Sequence, residues 1–449
     1  LRTFGKRGSG ILSEKTENEL TDCLLGFRYW IDEPGNDAMW FWSENHALMF
    51  HTCQLLAGEL FPDEVFTNSG LTGRQMQAKA KNMLYDWFVT FRKEGFTEWN
   101  SSPYLPIDTL GFGSLYAFAQ DPAMRELGRE GMDFAYYLLA VHSQQGIFAS
   151  SSGRTYIKEQ FGNWSNCPSG LSWIGYGYGV PGHAGKGITS YCLSDYEPPK
   201  EFAQWFSIPR GKEMICQTTQ GNDGYVDLYT YKTADYMMTS ANDFHPGEPG
   251  HQENPFQLTF NAVAQLWVTH PGERVLFGAA RPSYWAGNGT LPKVNQYKAF
   301  AGLIYDIAPE HPVDFTHLYL PSMEFDRCEV EGKWAFVQLG SAYAAVYCSN
   351  GMRMQDFGSN KDRECIAEGR HCIWLVRAAQ ADEFAAFEDF KAAMRGAVLD
   401  ADAEDRRYRF VDPVYGELRC QWGETLYVND APMQYSGFDN YGKLTMQEK

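Results

Sequence analysis

Positive charge is scarce in this chain: 38 Lys and Arg stand against 56 Asp and Glu, a net charge of −18 with His neutral. That balance excludes a general nucleic-acid binder and a polybasic membrane-surface protein, so any anionic partner must be held by a local site. No run of about 18 uninterrupted apolar residues occurs, and no transmembrane helix is expected. The 10 cysteines are scattered without one CxxC, which removes zinc-ribbon and thioredoxin-like readings. Their spacing fixes no disulfide, and those in apolar segments such as AAVYC read as buried free thiols. The start, LRTFGKRGSG, is neither an initiator Met nor a signal peptide and reads as a processed or truncated piece. No internal repeat of fixed period is found.

What the chain has in quantity is length and aromatic surface. Its 449 residues suit two or three domains. Phe, Tyr and Trp make up 15%, a load that fills cores or lines a cleft for a ligand with flat apolar faces, as sugars present. Hydrophobic period changes near residue 200. Before it, Leu20, Cys23, Leu24 and Phe27 fall at helical spacing behind a Ser13 N-cap, and similar patterns run through 43–60, 70–94, 107–120 and 122–143. Residues 144–200 lose periodicity and turn rich in Gly, Ser, Tyr and Trp, including GRTY at 153–156 and GYGYGVPG at 175–182. From about 201, YVDLYTYK, YMMTSAN, FQLTFNAVAQLWVTH, AFAGLIYDI, THLYLP, WAFVQLG and AYAAVYC read as strands of an antiparallel sandwich. FEDFKAAMRGA at 387–397 is a late helix, and RYRFVD, GELRCQW and ETLYVND suggest a further small sheet. The expected architecture is multidomain, α then β: stacked helical hairpins with the Gly/Tyr-rich region over 1–200, a β-sandwich over 201–385, and a helix with a small sheet over 386–449.

Three clusters carry chemistry. Asn45 and His46 follow a Ser43 N-cap in the first turn of a helix, where free N–H groups and the helix dipole favour an anion. An Asn amide and an imidazole there suit a carboxylate, although capping alone also accounts for them. In EWNSSPYLPID (98–108), Tyr104 stands between Pro103 and Pro106 on a stiff loop, placed for base chemistry if its neighbours lower its pKa. The third cluster is a Gly/Pro turn before a strand, ANDFHPGEPGHQENPFQLTF, with His245 and His251. An Asn-His pair, a Tyr and a loop His drawn from two domains are the ingredients of a cleft at a domain junction.

Asn45-His46 followed by LLAGELFP, then Tyr104 on a Ser-rich loop, then a His-containing turn opening a sandwich, resembles the heparinase II/III and alginate-lyase superfamily over roughly residues 40–350. The resemblance implies an incomplete α/α toroid followed by an antiparallel β-sandwich, and β-elimination on a uronate-containing polysaccharide. It implies that Asn45 neutralises the uronate carboxylate with His46 beside it, that Tyr104 is base and acid, and that His251 is the sandwich-opening His. The family's turn usually reads HxH with an Asp soon after, whereas this chain reads His251-Gln252-Glu253-Asn254, and Leu105 follows the Tyr where the family often has His. About 44 residues precede Asn45, short of a full toroid. Arg74, Arg154, Tyr156, Trp285 and Glu253 become candidate subsite residues, since Arg matches carboxylates and aromatic faces take sugar rings.

The resemblance further implies an acidic poly- or oligosaccharide as partner, no nucleic acid and no membrane, and a secreted or periplasmic setting. No cofactor is expected, with a structural zinc or calcium left open, and the oligomeric state is open. Two rivals stand beside the lyase: a glycoside hydrolase on a similar toroid, for which Glu44, Glu98 and Asp108 supply carboxylates, and a carbohydrate-binding protein without catalysis.

Overall fold

Helices come first because the early segments repeat their apolar residues every three to four positions. In the computed structural model, which describes residues 10–161, 166–181, 186–221 and 224–449, they are α1 (Glu14–Gly26), α2 (Glu44–Leu60), α3 (Gly73–Glu94), α4 (Leu105–Phe118) and α5 (Pro122–Val141). Their ends follow local chemistry. Ser13 caps α1 by accepting from Thr16 N, and Thr72 and Gln75 form a capping box on α3, which stops at Gly95 with φ 67°. α5 presses onto α4 so closely that a Cβ at Gly131 would lie 2.3 Å from the Phe112 ring. No described helix is long and apolar enough to cross a membrane.

The region 144–200 is not wholly irregular: it holds α6 (Ile157–Gln160), α7 (Cys167–Tyr176) and α8 (Ile188–Cys192), with α9 (Ala203–Phe206) just beyond it. Gly182, the last residue of GYGYGVPG, lies outside the described residues.

Strands follow as β1 (Lys212–Gln220), β2 (Val226–Lys232), β3 (Met237–Asn242), β4 (Phe256–Thr259), β5 (Gln265–Thr269), β6 (Lys293–Tyr297), β7 (Phe300–Asp306), β8 (Phe315–Tyr319), β9 (Arg327–Glu331), β10 (Trp334–Leu339), β11 (Ala342–Cys348), β12 (Arg353–Met354), β13 (Glu364–Glu368) and β14 (His371–Gln380). After α10 (Phe387–Gly396) come β15 (Leu399–Asp402), β16 (Arg407–Asp412), β17 (Gly416–Gln421), β18 (Tyr427–Val428), β19 (Ala431–Pro432) and β20 (Lys443–Glu448). They form a nine-stranded sheet, β12-β13-β8-β5-β4-β3-β2-β1-β20, a six-stranded sheet, β6-β7-β14-β11-β10-β9, and a five-stranded sheet, β15 to β19 in order. Every pairing is antiparallel, so the α-then-antiparallel-β architecture expected from the sequence is the one observed.

One core runs between the two large sheets, with Tyr231, Met238, Leu258 and Val268 from one and Leu303, Phe336, Val346 and Trp374 from the other. The segment FQLTFNAVAQLWVTH, expected as one strand, is two: Asn261 Oδ1 accepts from Val263 N (2.9 Å) and Ala264 N (2.8 Å), and that Asx turn reverses the chain between β4 and β5. The last segment also does not stay with the small sheet, because β20 leaves it and pairs with β1 from Lys212↔Glu448 to Gln217↔Lys443.

Packing divides the chain into two compact units. One is Leu1–Phe96, Tyr104–Tyr137 and Gly185–Lys200; the other is Thr97–Pro103, Leu138–Ala184 and Glu201–Lys449. The β-rich unit thus recruits pieces that precede residue 200, and strand chemistry explains it: Ser151 N donates to Thr239 Oγ1 at 2.7 Å and Ser152 pairs with Asn254 as an antiparallel bridge.

Candidate functional site

In the helical unit the candidates sit at the heads of α2 and α4. Ser43 is the N-cap of α2 with extended backbone (φ −83°, ψ 147°), yet its side chain caps nothing. Its hydroxyl donates to Asn45 Oδ1 at 3.1 Å and meets His46 Nδ1 at 2.5 Å. Asn45 is 6% exposed. With Oδ1 occupied, its Nδ2 donors have no partner among the described residues, and neither do the backbone N–H groups of Asn45 and His46. Neutral N–H donors are therefore gathered at the positive end of a 17-residue helix. His51, farther along α2, does not share this setting. It is buried against the Trp30 ring at 4.2 Å, and burial, with the nearby Lys79 charge, pulls its pKa down to about 4.

Tyr104 stands where α4 begins. Its carbonyl accepts from Ile107 N (2.8 Å) and Asp108 N (3.0 Å), so the backbone beneath the phenol is fixed by the first helical turn as well as by the flanking prolines. The two heads lie on directly packed helices: a Cβ at Gly111 of α4 would come within 2.9 Å of Leu48 of α2, and Leu48 is one turn beyond Asn45. Arg74, by contrast, is a surface residue of the first turn of α3, in an exposed ion pair with Asp63 at 3.0 Å.

The β-rich unit holds the other candidates on adjoining loops. Thr155 N donates to the Gln252 carbonyl (3.0 Å) and Gln252 Nε2 donates back to the Thr155 carbonyl (2.8 Å), which brings Arg154 and Tyr156 beside His251 and Glu253. The Arg154 guanidinium is engaged by Glu98 at 2.6 Å and by Gln252 Oε1. His251 is exposed, and its backbone N–H donates to Glu253 Oε2 at 2.5 Å. The Arg281 guanidinium lies 5.5 Å from the Tyr156 ring centre.

Trp285 corrects the sequence reading. It is 1% exposed, its ring stacks on His317 at 4.1 Å, and Trp267 and Phe161 meet it edge-on. A ring so enclosed has no face left for a sugar; it packs the core beside β5 and β8. Among the described residues no group of three or more His, Cys, Asp and Glu is disposed to hold a metal ion. No disulfide joins the cysteines among the described residues.

No protein-family profile matches the chain, and no curated protein matches it. Among solved structures it is similar to the crystal structure of heparinase III, at 8% identity and a TM-score of 0.38, over 92% of this chain and 70% of that one. It is also similar to heparan sulfate lyase HepC from Pedobacter heparinus, at 10% identity and a TM-score of 0.37, over 93% of this chain and 68% of that one.

Two features of the loops and caps were not read from the sequence. Ser43 passes for an ordinary N-cap, and only the turn of its hydroxyl toward Asn45 and His46 departs from that. Asn100, in the loop before Tyr104, is 2% exposed with left-handed backbone (φ 47°), and neither of its amide atoms has a hydrogen-bond partner among the described residues. Its one sequence signal is an Asn in a turn-rich stretch, which many loops share.

Proposed function

We propose that the protein is a polysaccharide lyase that cleaves a uronate-containing chain by β-elimination. The head of α2 carries this reading: neutral donors on Asn45 and on the backbone of residues 45 and 46 that have no partner among the described residues, held at a helix N-terminus by Ser43. The C5 proton of a uronate becomes acidic only when the charge developing on its carboxylate is taken up. N–H donors strengthen their hold as that charge grows, and so lower the barrier rather than merely bind substrate. Tyr104 as phenolate takes the C5 proton, the C5–H electron pair becomes the C4–C5 double bond, and the C4–O bond breaks. The same proton returns from Tyr104 to the departing oxygen, so Tyr104 ends as it began. The family resemblance gives His251 as the base for a substrate of the opposite C5 configuration. Arg154 and Tyr156 belong to the loops around His251, where Glu98 and Gln252 orient the guanidinium.

A screen of uronate polysaccharides, read by the ultraviolet absorbance of the unsaturated product, tests the proposal. A lyase gives unsaturated ends, a hydrolase saturated reducing ends, and a binding protein an unchanged glycan. On a substrate that is cut, Tyr104→Phe keeps the ring and should lower turnover about 10²-fold or more while the fold survives. Near wild-type formation of unsaturated product by that variant would transfer the base role away from Tyr104.

A further inference from the structure

We propose that Ser43 is a positioning residue, whose hydroxyl couples the His46 ring to the Asn45 amide and thereby fixes which atoms of both face the ligand. Its effect on turnover rests on the lyase reading above; the direction of its hydrogen bonds rests on geometry alone. A serine hydroxyl carries one hydrogen, and here it goes to Asn45 Oδ1. The 2.5 Å contact with His46 Nδ1 must then be made by a hydrogen that Nδ1 carries. The neutral ring is therefore the Nδ1–H tautomer, with its lone pair on Nε2. The chain of donors runs from His46 Nδ1–H to Ser43 Oγ–H to Asn45 Oδ1.

Position gives the arrangement its meaning. In the same unit Ser13 and Thr72 occupy the same place ahead of their helices, and both spend the side-chain oxygen on a first-turn N–H, Thr16 N and Gln75 N. Ser43 has the N-cap backbone but leaves the first-turn N–H groups uncapped. The hydroxyl thus does two things at once. It holds the Asn45 amide with its oxygen tied down and its donors free, and it withholds the cap that would otherwise occupy the N–H groups of the helix. Hydrogen bonds in series also polarise one another, so donation into Oδ1 makes the Nδ2 hydrogens better donors as negative charge builds on a ligand.

The test uses the full chain labelled with ¹⁵N, long-range ¹H–¹⁵N spectra of its imidazoles, and His46→Gln to identify the His46 signals. In the wild type at a pH where the ring is neutral, His46 should carry its hydrogen on Nδ1. Ser43→Ala should move it largely to Nε2, and Ser43→Thr, which keeps a hydroxyl, should restore the Nδ1–H form. On a cleaved uronate substrate, Ser43→Ala should lower kcat about tenfold with KM nearly unchanged, the size expected for one hydrogen bond, and Ser43→Thr should recover most of it. A wild-type ring protonated on Nε2, or a tautomer unmoved by Ser43→Ala, would overturn the coupling. A shifted tautomer with unchanged kcat would overturn the positioning role. If no uronate polysaccharide is cleaved, the lyase reading fails while the spectra still decide the coupling.

Discussion

The head of α2 and the loops around Arg154 offered the same promise in sequence, polar residues suited to a carboxylate, and the structure treats them in opposite ways. At α2, Ser43 satisfies the acceptor of Asn45, and its donors are open among the described residues. In the β-rich unit, two polar clusters are closed among themselves: Arg154 is held by Glu98 and Gln252, and Glu364 accepts from Tyr284 (2.6 Å), His317 (2.7 Å) and Asn360 (2.8 Å). Burial alone would raise the Glu364 pKa, but those three hydrogen bonds outweigh it and hold the carboxyl below its ordinary value. Residue type therefore separates the two regions poorly. Counting which donors and acceptors are already used separates Asn45 from Arg154 and Glu364, because a buried polar group left open is either costly or purposeful.

If this contrast is sound, closed residues should fail in stability and open ones in turnover. The largest effect is expected at Trp285. Trp285→Ala removes a 1%-exposed ring from the core and should cost ~3–5 kcal/mol of stability in urea unfolding. A stable variant with weakened saccharide binding would return Trp285 to the site. Asn45→Ala should do the reverse: kcat falls by ~10²–10³ on a cleaved uronate substrate, KM changes little and Tm holds, since one donor to developing charge is removed.

A third measurement probes a buried group that is closed without a counter-ion. Lys232 is fully buried, and its ammonium donates to the Ala140 and Trp205 carbonyls. Burial lowers its pKa to about 7, while the unfolded chain keeps the ordinary value near ~10.4. Between those values the unfolded state binds a proton that the folded state does not, so this group makes stability rise with pH from about 7 to ~10, and its penalty is full below 7. The difference in unfolding free energy between wild type and Lys232→Met should therefore depend on pH in that window and level off below it. A difference flat across the window would mean the amine titrates normally. The smallest effect belongs to Arg74: Arg74→Ala breaks only an exposed pair with Asp63 and should change stability by less than ~1 kcal/mol and leave turnover as it was.

The sequence was most legible where burial is one-sided. Helices such as α3 and strands such as β16 show their period because one face meets water, whereas β3 and β11, buried at every residue, were read from their runs of β-branched and aromatic residues. β14 went unread although it is central to its sheet. From Cys372 to Gln380 every residue is buried, so HCIWLVRAAQ shows no alternation to detect. The candidate site of the helical unit was legible in its residue types, Asn45, His46 and Tyr104, because those sit beside caps and prolines that the sequence displays, as does the turn that carries the candidate His251. It was illegible in hydrogen-bond direction. Nothing in WFWSENH says that Ser43 turns toward His46 rather than capping α2, and nothing in PSYWAG says that Trp285 faces inward.

The pairing of β20 with β1 bears on how the protein is made. Gln447 reaches Glu213 across that pair, 234 residues away in sequence. A ribosome adding ~5–20 residues per second leaves β1 without this neighbour for ~10–50 s after the strand emerges. Throughout that interval one side of β1 presents unpaired N–H and C=O groups, a template for strands of other nascent chains. Yield should therefore depend on chaperone supply and temperature more than on the stability of the finished molecule.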